Sequence, residues 1–315
     1  MTQIKFPSVS PIDMRDAVFD SLYEIASKDS SVIVLTDDQS ALSLNKIKNH
    51  LKNQYFSVGI AEQNLISVGA GLALGEKKPF LYGISTFVTL RCYEQIVVDL
   101  CNMNLGCTII GSGPGLTYAS DGPTHHSIQD ISIMRIMPNM TIFNPSDDFS
   151  ASASTYLAYN REGPSYIRLE KGILPRVYNE SDDFSNGLSL LKSGKDLIII
   201  TSGIMTHRAL EVSQELDKSS IDTGVIDIYR LNPINENLLF SLICNTKRLV
   251  TLEEHLLDGG LGSAICELLA DHSISLPVKR IGIGKRTNGH GNRTWLHTHY
   301  GLDTSGVKKT ILNWQ

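Results

Sequence analysis

A chain of 315 residues with 42% hydrophobic and 19% charged side chains carries enough apolar material for two ordinary globular domains, and far too much for a disordered one. Its formal net charge of −5, with acids and bases interspersed and no Lys/Arg block, argues against a nucleic-acid partner. No apolar run approaches the roughly 20 residues that a bilayer crossing takes. The opening Met1-Thr2-Gln3-Ile4-Lys5-Phe6-Pro7 lacks the apolar core of a secretory signal, and the five cysteines form no C-x-x-C pair and sit in apolar surroundings, as buried free thiols do. A cytoplasmic protein is expected.

Asp13 is placed to cap a helix over Met14–Ser27, with Val18, Leu22 and Ile25 on one face. Val32–Leu35 and Gln54–Val58 read as short strands, followed by helices over Glu62–Leu74 and about Leu90–Asn102. Between and after these come the strands Phe80–Tyr82, Thr108–Ile110 and Thr141–Phe143. Asp147 caps a helix over Phe149–Tyr159, and Tyr166–Leu169 closes the unit as a strand. Residues Gly172 to about Asn186, with Leu174-Pro175 and a polar stretch, break the rhythm as a linker. It restarts with strands Leu197–Thr201, Gly224–Asp227 and Leu249–Leu252, alternating with helices His207–Leu216, Asn237–Cys244 and Gly262–Ala270. Alternating strands and helices predict an α/β fold of two open, mainly parallel-sheet domains, 1–175 and a smaller 188–315.

In such sheets ligands sit beyond the carboxyl ends of the strands. Three segments follow strand ends: Phe56-Ser57-Val58-Gly59-Ile60-Ala61-Glu62, the stretch Thr86 to Gln95, and Gly111 to His126. Glu62 stands between apolar neighbours at the head of a Gly/Ala-rich helix, whose small residues permit close packing at a subunit interface. A single, dry, rigid carboxylate there suits a strong hydrogen bond, although carboxylates also stand at helix starts to oppose the macrodipole. Phe87 offers an apolar floor, with Tyr93 as a second candidate wall; a core aromatic is the commoner fate of either. In the turn Asp121-Gly122-Pro123-Thr124-His125, a neutral imidazole suits a hydroxyl contact or a proton shuttle, and Asp121 a hydroxyl beside it. No metal-ligand spacing is evident, so no metal site is expected on this chain.

Glu62, the Phe87–Tyr93 stretch and Asp-Gly-Pro-Thr-His, in that order, resemble the pyrimidine-binding half of transketolase. The likeness extends through Met134–Met140, Gly163–Leu169, and Thr251-Leu252-Glu253-Glu254-His255 with Gly259-Gly260-Leu261-Gly262. The resemblance implies the pyrimidine-binding and C-terminal domains of that family as a separate subunit, transferring a two-carbon ketol unit with thiamine diphosphate. It implies Glu62 as the activating carboxylate, Phe87 as the stacking residue and Asp38 in the cofactor pocket. Asp121 and His125 would face the ketose, with Arg15 and Arg168 on its phosphate. The family's Gly-Asp-Gly…Asn signature for Mg²⁺ and the diphosphate is absent. A partner subunit with the diphosphate-binding domain is therefore expected to hold the Mg²⁺, in a dimer of heterodimers.

Gly113 stands where transketolase has a histidine, which removes a donor and leads us to expect open space there, and an unusual sugar, including one without a phosphate. Other members of the superfamily, a deoxyxylulose-phosphate-synthase-like enzyme or the β-subunit of a 2-oxo acid dehydrogenase, are the alternative, with a non-catalytic stabilising subunit beyond them. The polar, Gly-rich Gly289–Trp295 reads as a mobile contact segment without assigned function.

Overall fold

Two runs of apolar, β-branched residues decide the architecture. Ile33 to Leu35 and Ile198 to Ile200 are buried in strands covered on both faces, and each seeds a separate parallel sheet. The structure, a computed structural model, describes residues 6, 10–284 and 289–314. The first sheet contains β1 (Val32–Thr36), β2 (Tyr55–Ser57), β3 (Lys78–Ile84), β4 (Thr108–Ser112), β5 (Thr141–Phe143) and β6 (Ser165–Leu169). The second contains β7 (Ser189–Lys192), β8 (Leu197–Thr201), β9 (Thr223–Asp227), β11 (Leu249–Leu256) and β12 (Val278–Ile283). The intervening strand β10 (Arg230–Asn232), although it follows β9 in the chain, pairs antiparallel with β5. The sheet orders are β10-β5-β6-β4-β3-β1-β2 and β12-β11-β8-β9-β7, all parallel except the edge pairs β10 with β5 and β7 with β9.

The caps read from sequence form as expected. Asp13 accepts from the amide of Arg15 at the head of Met14–Ala26, and Asp147 closes a capping box with Ser150 at the head of Asp148–Tyr159. The stretch expected as a helix over Leu90–Asn102 is different. Ser85–Thr89 and Tyr93–Gln95 are short helical turns, and Ile96–Cys101 runs on as a π-helix in which Asn102 N–H bonds Val97 O at 2.9 Å. Such wide turns insert an extra residue without breaking the rod and are frequent at functional sites. The segment after Gly289 also departs from expectation: Arg293–Tyr300 and Thr304–Leu312 are helices capped by Asn292 and Asp303. Of the cysteines, Cys92, Cys101 and Cys107 are buried, but Cys244 is exposed and Cys266 half-buried, because both lie on outer helix faces. No described helix is long and apolar enough to cross a membrane.

Two buried polar clusters lock the sheets together. Asp227, at the end of β9, accepts from Ser146 Oγ (2.8 Å), Thr206 Oγ1 (2.8 Å) and Tyr178 OH (2.7 Å). Arg293 donates to Glu254 beyond the middle of β11 and to Glu170 just after β6, at 2.6 and 2.7 Å. Burial alone would raise the Glu254 carboxyl, but Arg293 and His297 hold it well below the usual range.

Candidate active site

Five parallel strands of the first sheet end on one rim, and each delivers one segment to it. Asp37 and Asp38 follow β1, and Glu62 follows β2 through Gly59, whose φ of +73° turns the chain into the helix Glu62–Leu74. Phe87 and Arg91 follow β3, Gly113 to His125 follow β4, and Glu170 and Lys171 follow β6.

Glu62 is only 3% exposed, and Arg91 donates to it from Nη1 at 2.7 Å. The same guanidinium lies 4.3 Å from the ring centre of Phe87. A dry carboxylate and an aromatic face thus close on one planar, N–H-bearing group. The Phe87 ring also meets His125 edge-on at 5.0 Å, and His125 meets Tyr118 at 6.0 Å. The Lys171 ammonium caps the Tyr118 ring at 4.4 Å. The row Glu62–Arg91–Phe87–His125–Tyr118–Lys171 is continuous along the rim.

The other expected residues are placed as follows. His125 is half-buried, with Nδ1 3.0 Å from Thr124 Oγ1, and Asp121 is exposed at the end of the turn Ala119–Asp121. Asp38 is exposed and lines a cavity of about 290 Å³ with Thr36, Gln39, Asn45 and Ser57. Its neighbour Asp37 is the buried one. Burial, with Asp38 and Glu62 nearby, pushes the Asp37 carboxyl up to about 6. Tyr93 is half-buried and packs with the apolar core rather than along the aromatic row. Arg15 holds its own capping Asp13 through Nε and Nη2 at 3.0 and 2.8 Å, beside Tyr82 and next to Gly172 at the exit of β6.

Two expectations are corrected. Arg168 is not available to a substrate phosphate: it is 4% exposed, donates to Asp130 at 2.8 Å, and also reaches the carbonyls of Ser127 and Glu254. It points into the sheet interior because alternate residues of β6 face opposite ways, and Asp130, fully buried, needs its charge. The space expected over Gly113 is filled: the Tyr118 ring folds back onto it, so closely that an added Cβ would lie 2.0 Å from Tyr118 Cε2.

Arg91, Tyr118, Lys171 and Arg293 escaped sequence reasoning. Arg91 carried a usable signal, because it stands four residues after Phe87 in a helical stretch, a spacing that stacks two side chains. Lys171 follows a strand end. Tyr118 and Arg293 carried none, since both act across loop closures.

The rim therefore offers half of a pocket for a planar heterocycle, followed by a basic and aromatic path for something polar. Residues 10–176 match the family described as Transketolase, pyrimidine binding domain, and residues 187–307 match Transketolase, C-terminal domain. The chain belongs to the transketolase family. One subunit of the apulose-4-phosphate transketolase of Phocaeicola vulgatus is 34% identical over 96% of this chain and 97% of that protein. The 6-deoxy-6-sulfo-D-fructose transketolase subunit SqwH of a Clostridium species is 33% identical over 93% of this chain and 92% of its own length. The 1-deoxy-D-xylulose-5-phosphate synthase of Halothermothrix orenii is 31% identical over 93% of this chain but only 46% of that protein, so the chain spans about half of that longer relative. A solved split-gene transketolase, an inactive β4 tetramer, superposes with a TM-score of 0.88 at 34% identity over 96% of this chain and 97% of that one. The transketolase of Campylobacter jejuni shares the fold, with a TM-score of 0.81 at 19% identity over 98% of this chain and 48% of that one.

Proposed function

We propose that this chain is the C-terminal subunit of a split transketolase that uses thiamine diphosphate to move a two-carbon ketol unit from a ketose to an aldose. It becomes active when a partner subunit supplies the diphosphate and Mg²⁺ site. The observation that carries the reading is the closure of Glu62 and Phe87 on one guanidinium. A charged hydrogen bond at the edge and an aromatic ring beneath are the two contacts an aminopyrimidine requires. The residues fit the group. When bound, the cofactor supplies the carbon nucleophile that carries the ketol unit.

Glu62 would hold the pyrimidine ring nitrogen, and its burial makes that bond strong because little water competes. Phe87 would bear the ring. Arg91 must release both before the pyrimidine can enter, so binding exchanges one planar N–H group for another. His125, in edge contact with Phe87, would hold or pass a proton at a sugar hydroxyl, with Asp121 on a neighbouring hydroxyl and Asp38 at the cofactor end. We assign an anionic sugar tail to Lys171, past the end of β6, and to Arg15, which is held by Asp13. Two relatives support this, since apulose 4-phosphate and 6-deoxy-6-sulfo-D-fructose, in their names, carry a phosphate and a sulfonate.

Phe56, Ile60, Val68 and Leu74 leave apolar side chains exposed on and beside the helix that begins at Glu62. Such exposed apolar side chains suit coverage by the partner. The test combines the chain with its diphosphate-binding partner and follows ketol transfer, with assembly read by native mass spectrometry. Glu62→Gln is expected to leave assembly intact and lower turnover by about a hundredfold or more. Unchanged turnover would make this a stabilising subunit. Carbon dioxide release from a 2-oxo acid, without transfer from any ketose, would select a different reaction on the same scaffold.

A further inference from the structure

We propose that Tyr118, seated on Gly113, sets how long a sugar tail the pocket accepts; the inference rests on the ketol-transfer reading above and names the residue that gives it selectivity. Gly113 has a φ of +73°, and its missing side chain is replaced by the tyrosine ring: an added Cβ would meet Cε2, Cδ2 and Cζ at 2.0, 2.6 and 3.0 Å. Glycine and ring are one unit, because any side chain at position 113 must evict the ring. The unit adjoins His125, whose ring lies 6.0 Å from that of Tyr118 and 5.0 Å from that of Phe87. A ketose whose reacting carbon lies near His125 runs its remaining carbons toward Tyr118 and then Lys171.

The ring is also held as a wall. The loop that carries it is bridged by Gly115 and Ser127. The Leu116 amide donates to Glu254 at 3.0 Å, and Thr117 Oγ1 donates to Glu170 at 2.7 Å. Both carboxylates are clamped by Arg293 from the second domain. Three anchors on the residues just before Tyr118 leave its backbone little freedom to withdraw from a longer ligand. A fixed aromatic face discriminates by excluded volume.

The experiment uses the complex of the chain with its partner, saturated with cofactor, and three donors: hydroxypyruvate, which has no tail, and five-carbon and seven-carbon ketose phosphates. In Tyr118→Ala the ratio of seven-carbon to five-carbon donor should rise about tenfold, through KM, as expected for one or two extra carbons admitted to a pocket, and any loss with hydroxypyruvate, passed on through the contact of the ring with His125, should be smaller. Gly113→Ala, by displacing the ring, should move the ratio the same way, and the double variant should add nothing further. Tyr118→Phe, which keeps the ring, should leave the ratio unchanged and provides the control for a folding defect in the alanine variants. The proposal is overturned by an unchanged donor ratio in Tyr118→Ala, by additive effects of the two substitutions, or by an equal loss with hydroxypyruvate. Failure of the wild-type complex with all three donors would instead remove the ketol-transfer reading, and the proposal with it.

Discussion

Arg91 makes to Glu62 and Phe87 the contacts that a pyrimidine needs, so its removal should tighten cofactor binding rather than weaken it. The hydrogen bond is short, 2.7 Å, and its acceptor is buried, but the Arg91 side chain is 45% exposed, which screens the pair. An exposed ion pair contributes about 0.2–1 kcal/mol, and an exposed cation–π contact about 0.5–1 kcal/mol. The combined loss in the cofactor-free state is therefore about 1–2 kcal/mol, or about 5–30-fold in affinity. Isothermal titration of thiamine diphosphate into the wild-type and Arg91→Ala complexes reads this directly. Thermal unfolding supplies the matching signature: the cofactor-free variant loses stability, while the cofactor-saturated one loses little. Weaker binding, or equal destabilisation of both states, would show that Arg91 supports Glu62 with the cofactor in place, and the exchange would be wrong.

Asp227 gives a prediction in pH. Burial, with Asp147 nearby, pushes its carboxyl up to about 7 from an ordinary 3.8, against the lowering effect of the hydroxyls of Tyr178, Ser146 and Thr206 that donate to it. The folded chain therefore keeps a proton that the unfolded chain releases. The stability this contributes is complete below about pH 4 and is lost as the pH rises to about 7, by as much as about 4 kcal/mol. Urea midpoints should show the wild type losing ground to Asp227→Asn between pH 4 and 7; a difference independent of pH would contradict it. The two cations at and after β6 should separate cleanly. Arg168→Met strands the buried Asp130 and should cost about 3–5 kcal/mol, visible as failure to fold or a large drop in Tm. Lys171→Met should fold normally and raise KM about tenfold for phosphorylated over unphosphorylated ketoses, a charged hydrogen bond contributing about 1.5–3 kcal/mol. Equal KM effects on both would remove Lys171 from the anion site.

The sequence by itself determined the parts of this protein that depend on local pattern. Apolar runs of strand length alternating with helical spacing dictated two parallel α/β units, since each run has to bury both faces. Asp13 and Asp147 marked helix starts because an exposed amide needs an acceptor close by in the chain. Glu62, Phe87 and His125 could be placed on one rim because every parallel strand in a sheet delivers its carboxyl end to the same side.

Only the tertiary structure decided which side chains on that rim face the pocket and which support it. Arg168 turns inward to Asp130 by strand alternation, whereas Lys171, three residues on and past the strand end, stands on the rim where Arg168 was expected. Arg91 became visible as the partner of Glu62 only when the fold brought the turn after Ser85–Thr89 against the head of the helix that begins at Glu62. Tyr118 came to lie on Gly113, and Arg293 to clamp Glu170 and Glu254, through contacts between residues distant in the chain or across a folded loop. Such contacts depend on the closure of the whole fold, which leaves no periodic trace in the sequence.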